Sequence, residues 1–105
     1  LELSLLRAQF RELGFHDRVE RELPMDQAGV VVQGVEAGGA AGLAHLQAGD
    51  VLLRVGGRRV DGLDALRPAL EAALAEGERV PLEILRRGDR RIVHLERRWI
   101  PESPR

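Results

Sequence analysis

With 105 residues, 44% of them apolar, and a formal net charge of −1, the chain has room for one domain around one modest core. Cysteine is absent, and so are lysine, threonine, tyrosine and asparagine. Disulfides, thiolate metal sites, thiol nucleophiles, Walker lysines and Schiff bases are therefore excluded.

The only serines are Ser4 and Ser103, close to the two ends, so a binding role stands ahead of an enzymatic one. All 16 basic residues are arginine; four fall in residues 1–53 and twelve in residues 54–105. They pair up at Arg58-Arg59, Arg86-Arg87, Arg90-Arg91 and Arg97-Arg98. We read these pairs as solvated strand and turn edges. Phe10, Phe15 and Trp99 are the only aromatic residues, too few for a stacking platform, so no nucleic acid partner is expected. No apolar run approaches the ~20 residues that span a bilayer, and no leader pattern opens the chain. Direct membrane insertion is not expected. The first residue is Leu1, and the chain reads as a piece of a longer protein.

Leu3, Leu6, Phe10 and Leu13 recur at helical spacing and predict a short helix stopping at Gly14. A strand through Leu1, Leu3 and Leu5 competes with it. Phe15–Glu20 reads as a short polar strand, followed by a variable stretch around Pro24. Val30-Val31-Val32, bounded by Gly29 and Gly34, predicts a buried strand. A small helix over Ala40–Leu46 follows the Gly38-Gly39 turn. Asp50–Val55 predicts the next strand, Gly56-Gly57 a hairpin turn, and Arg58–Val60 a brief return. Leu63, Leu66, Leu70, Ala73 and Leu74 keep a 3.6-residue period to about Glu76, with Gly77 just beyond. Pro68 implies either a start near Arg67 or a kink. Val80–Arg86 and Arg91–Arg97 complete a hairpin across Arg87-Gly88-Asp89-Arg90. Short strands with two helices and no βαβ rhythm predict an α+β domain with an antiparallel, barrel-like sheet.

The chemistry-bearing side chains are scattered. Ser4, His16 and Asp17 lack any strained nucleophile turn. His16, His45 and His94 show no i, i+4 pairing, so no metal site is expected. The Gly34, Gly38, Gly39 and Gly42 passage lacks both the dinucleotide spacing and a lysine, and its glycines make turns. Glu20 and Glu22 have no context for acid–base work. No cofactor is expected. One constellation stands out: Glu12-Leu13-Gly14-Phe15 places apolar residues around a glycine where a strand begins. Gly14 would let successive N–H groups converge on an anion. A strand edge after it, with the helix from Leu63 as an opposite wall, describes capture of a peptide C-terminus.

At these residues the chain resembles a PDZ domain, over about Arg11 to Arg98. Glu12-Leu13-Gly14-Phe15 is similar to the carboxylate-binding loop of that family. The stretch from Ala37 to Val60, a small-residue helix, then Gly49-Asp50, an apolar strand and a glycine turn, is similar to its most specific part. The order of parts resembles the permuted PDZ domains of HtrA-type serine proteases and other envelope proteases. The resemblance implies a five- to six-stranded, partly open antiparallel barrel with two helices. It divides the chain into an N-terminal helical or linker segment (1–10), the peptide-binding domain (11–98) and a C-terminal linker (99–105). It implies a non-catalytic module of a bacterial protease, with the parent in the cell envelope or periplasm.

The partners expected are C-terminal or extended peptide segments and a parent protease domain. Leu13, Gly14 and Phe15 would hold the carboxylate, with Glu12 opening the loop. His16, Asp17, Arg18 and Val19 would pair with the peptide main chain. Phe15, Leu66 and Leu70 would line the pocket, with Leu74 or Ala73 deeper; Leu66, Leu70 and Leu74 also suit a plain core. An interdomain or assembly module with its groove filled by its own protein is the alternative, and an arginine-rich scaffold for nucleic acid or membrane a further one. Two departures stand out. His45 occupies a position where the family commonly has glycine, and Asp17 shares a strand side with Phe15. The latter means a bulge or a partly polar groove.

Overall fold

All three valines of Val30-Val31-Val32 are buried because their strand has cover on both faces. Val30 and Val32 join the main core with Phe10, Leu52, Leu66, Leu70, Ile84 and Leu95. Val31 faces the other way, onto Leu13, Val51 and Leu53. A strand buried on two faces reads as a continuous β-branched run.

The computed structural model describes residues 1–100. The order is β1 (Glu2–Leu3), β2 (Ala8–Glu12), α1 (Phe15–Glu20), β3 (Val30–Val35), α2 (Ala40–Leu43), β4 (Val51–Val55), β5 (Arg58–Arg59), α3 (Leu63–Glu76), β6 (Arg79–Arg86) and β7 (Asp89–Glu96). A 3-10 turn over Arg97–Trp99 follows. The strands form one seven-stranded sheet in the order β1-β2-β3-β4-β6-β7, with β5 beside β4. Every pairing is antiparallel. The α+β architecture expected from the sequence is present, as an open sheet with a third α-helix.

Two tight turns set the register of the later strands. Gly56 and Gly57 both have positive φ, 59° and 84°, between Val55 and its partner Arg58. That is the mirror-image turn whose twist suits a two-residue hairpin. Arg87 and Gly88 do the same at 54° and 83°, joining Arg86 to Asp89. The second turn is therefore two residues long, and β7 starts two residues earlier than expected. His45 takes φ 70°, the left-handed conformation anticipated from its place in the sequence. Helix α3 is continuous through Pro68. The proline deletes one ladder bond in the second turn, while Leu66, Ala69, Leu70 and Ala73 stay buried on the inner face.

Two segments differ from the sequence reading. The first thirteen residues are not helical. Buried Ala8 and Phe10 alternate with exposed Gln9 in β2, which runs on to Glu12, and Leu3 belongs to β1. Leucines spaced three and four apart fit this hairpin too, because its four-residue loop shifts the phase between strands. The second difference is α1, predicted as a strand. Gly14 is its N-cap, and the Gly14 N–H donates to Asp17 Oδ2 at 2.8 Å. Arg11 clamps the same carboxylate with both terminal nitrogens, at 2.6 Å each. His-Asp-Arg-Val-Glu has no period-2 alternation to favour a strand, and an acid at the third helical position favours a helix start. Trp99 and Ile100 pack against the core; the rest of the expected linker, residues 101–105, lies outside the described residues.

Gly56 and Gly57 share a backbone conformation but not a neighbourhood. A Cβ on Gly56 would stand 2.6 Å from the Ala73 Cβ on α3, whereas one on Gly57 would meet nothing within 4 Å. Gly57→Ala should cost only left-handed strain, about 1–2 kcal/mol, and Gly56→Ala about 2–4 kcal/mol once overpacking is added. Urea denaturation of the two variants checks this; equal losses would mean that α3 does not press on the turn.

Asp17 sits almost fully buried under Arg11. The hydrogen bonds from Arg11 hold its carboxyl well below the usual carboxylate range, against the opposing effect of burial, and the Gly14 N–H adds to the lowering. The unfolded chain therefore binds this proton first as pH falls, which favours unfolding. Asp17→Asn should cost about 1–3 kcal/mol at neutral pH. The gap to the native protein should be constant above about pH 5 and shrink below about pH 4. Chemical denaturation across that range measures it, and a gap unchanged at about pH 2.5 would refute the assignment.

Candidate functional site

The residues singled out from the sequence divide into two groups. Leu66, Leu70 and Ala73 are buried on the inner face of α3, and Leu74 is partly buried beside them. The proposed loop and strand are not built as expected. Glu12 ends β2, and its Oε1 accepts the Leu63 N–H at 2.7 Å. Leu13 is buried with Val31 and Val51. Gly14 spends its N–H on Asp17. Phe15 is 64% exposed, with the His16 ring edge-on at 5.9 Å. Arg18 donates two side-chain bonds to the Gln27 carbonyl, and Val19 is exposed. The Arg18 and Arg21 amides are spent inside the turn, on the Gly14 and Asp17 carbonyls. Residues 16–19 therefore present no strand edge, and Asp17 resolves as a helix anchor rather than a groove residue.

The strand edge beside α3 belongs to β2 instead. One edge of β2 pairs with β3 through Ala8–Glu12. The other carries β1, with Glu2 opposite Gln9 and Leu3 opposite Ala8. Leu1 and Phe10 exchange both backbone bonds at 2.7 Å. The bond between Glu12 and Leu63 ties the far end of β2 to the first turn of α3. Leu3 has no exposed surface and joins the core cluster that holds Phe10, Leu66 and Leu70. β1 thus occupies the outer edge of β2, with Leu3 in the core cluster that also holds the inner face of α3.

The loop leading into β2 spans Ser4 to Arg7. Leu6 N–H donates to the Leu3 carbonyl at 3.1 Å, and Arg7 N–H to the Ser4 carbonyl at 3.1 Å. Arg7 has φ 54°, a left-handed conformation normally left to glycine. A loop with one left-handed residue, entering a strand from between apolar Leu6 and Ala8, has the form sought at Gly14. An arginine hides it in the sequence. The segment before α2 holds the loop. Glu36 N–H donates to Arg7 O at 3.0 Å, Ala41 N–H to Leu6 O at 3.1 Å, and Arg7 Nε pairs with Glu36 Oε2 at 3.1 Å.

Other charged features have structural employment. Asp50 is buried, accepting Arg86 Nε and Nη2 at 2.9 and 2.7 Å and the Gln47 N–H at 2.9 Å. Arg86 Nη2 also reaches the His45 carbonyl at 2.8 Å. This pair lines a cleft of about 540 Å³ walled by residues after α1 and the β6–β7 turn. Arg54 and Arg90 meet Glu83, Arg58 meets Glu76, and Arg98 meets Glu96. Among the described residues, no three metal-ligating side chains come together. Nor is any helix among them long and apolar enough to cross a membrane.

A family model described as "PDZ domain" matches residues 11–96. Three solved structures are similar in fold. The HtrA-type protease AlgW with a decapeptide is 24% identical with a TM-score of 0.68, over 87% of this chain and 27% of that one. The HtrA3 PDZ domain bound to a phage-derived ligand (FGRWV) is 23% identical with a TM-score of 0.67, over 87% and 81%. The PDZ domain of EpsC from Vibrio cholerae is 14% identical with a TM-score of 0.57, over 90% and 99%. The chain spans about a quarter of the AlgW chain and most of either isolated domain. No curated protein matches it. The family model covers most of the chain, and an open antiparallel sheet accompanies it: the chain belongs to the PDZ domain family.

Proposed function

We propose that this domain is a non-catalytic module that captures C-terminal peptide segments as an added strand on β2. The observation that carries the reading is the outer edge of β2, which accepts a strand beside α3 and admits an aliphatic side chain to the core. Ala8 and Phe10 would pair with the peptide main chain. The Leu6 N–H, which here donates to the Leu3 carbonyl, would meet the terminal carboxylate, with the Arg7 guanidinium adding charge. Phe10, Leu66 and Leu70 would line the pocket for the last side chain, with Ala73 and Leu74 deeper. In a protease of the HtrA type, such a module would recognise substrates or regulate the neighbouring catalytic domain.

One observation favours a second reading, an interdomain or assembly contact whose groove holds a segment of its own protein. That observation is β1 itself, a strand of this chain lying where the peptide would pair.

Several net hydrogen bonds at about 1 kcal/mol each and one or two buried side chains at about 1.5–3 kcal/mol each must offset association and ordering costs. Micromolar affinity, about −8 kcal/mol, is the expected outcome. Matched peptides ending in leucine, as free acid and as amide, test the reading by fluorescence anisotropy. The acid should bind at least tenfold more tightly, and replacing the terminal leucine by aspartate should abolish binding, because a buried charge would lose water without gaining a partner. Equal affinity of acid and amide would show that the groove does not read a terminus.

A further inference from the structure

We infer that Leu1-Glu2-Leu3 is a resident ligand of the β2–α3 groove, which an external peptide must displace. The inference rests on the peptide-capture reading and adds its regulation. Three features of β1 coincide with what that reading asks of a bound peptide. The segment runs antiparallel to β2 on its outer edge. The Leu3 side chain is fully buried and belongs to the core cluster that includes Phe10, Leu66 and Leu70, the residues proposed to line the pocket for the last side chain of a peptide. The Leu3 carbonyl accepts the Leu6 N–H at 3.1 Å, the donor a terminal carboxylate would use. Glu2 faces solvent and Leu1 is half-exposed, so the anchoring falls on Leu3.

β1 is built to exchange. It pairs along one edge only, at the margin of the sheet. The loop after it is held from the other side, by Glu36 and Ala41, so the Leu6 amide keeps its place when β1 departs. A tethered ligand acts at a high effective concentration, and it raises the apparent dissociation constant of any competitor by the inverse of the fraction of time the groove is open. The ligands that compete are C-terminal segments ending in an aliphatic residue preceded by an undemanding one, as in Leu-Glu-Leu.

A reversible lock tests this. Glu2 and Gln9 are exposed and directly opposite. They form a non-hydrogen-bonded pair, since Leu1 and Phe10 are the bonded pair next to them. Two cysteines there are suitably close for a disulfide, and the chain has no other cysteine. In the Glu2→Cys/Gln9→Cys variant, a fluorescein-labelled peptide ending in Leu-Glu-Leu should bind the reduced form and lose at least tenfold in affinity on oxidation. Reductant should restore it. Equal binding by both forms overturns the resident-ligand inference while leaving peptide capture intact. Failure of the bridge to form in the folded protein, read by mass, overturns it too. Absence of binding to the reduced variant, to the native chain and to Leu3→Ser, which loosens β1, refutes peptide capture itself.

Discussion

The strand Ala8–Glu12 has two edges: β3 pairs along the whole of one, and only the short β1 along the other. Everything that concerns the groove follows from this imbalance. Pairing with β3 fixes the strand against the doubly buried valine run, and the Glu12 carboxylate fixes its far end to α3. The remaining edge carries amides and carbonyls beside an apolar helix face. Such an edge must be paired, covered or left as a template. Here two residues of the same chain cover it, and their main-chain bonds are of the kind a peptide would make.

A small polar cluster decides where that edge can be. Gly14, Asp17 and Arg11 turn the chain out of β2 into α1 within three residues. Without that cap, Phe15–Glu20 could have continued as strand. With it, Phe15 and Val19 are left exposed on a helix, and the strand edge beside α3 is that of β2 upstream. The same cluster spends the Gly14 amide, which removes the anion nest from that position and leaves the loop before β2 as the remaining candidate.

Much of the fold was legible because its signals are local. Gly56-Gly57 demands a two-residue turn, the valine run demands cover on both faces, and the period from Leu63 to Leu74 fixes one helix face. The stretch from Gly49-Asp50 through Val55 was legible for the same reason, with Asp50 neutralised by Arg86 36 residues away. The loop proposed for the carboxylate was not legible. Its left-handed position is filled by Arg7, so the glycine that would mark it is missing, while a glycine in a similar apolar setting at Gly14 serves as a helix cap. The inner face of α3 was legible by periodicity, since Leu66, Leu70 and Ala73 repeat at helical spacing and pack the core.

Arg7 also explains why the loop can outlast its own hairpin. A left-handed arginine carries a backbone cost of about 1–2 kcal/mol, and a four-residue loop closed only by a two-residue strand would not hold it there. The restraint comes from the start of α2. Gly39 approaches so closely that a Cβ on it would stand 2.6 Å from the Arg7 Cβ, and the Glu36 main chain and carboxylate bind Arg7 from the same direction. The loop is therefore pre-formed by contacts that a ligand leaves untouched. Pre-organised donors keep the ordering cost of binding low, and exchange of β1 for a peptide becomes the replacement of one short strand by another on a fixed frame.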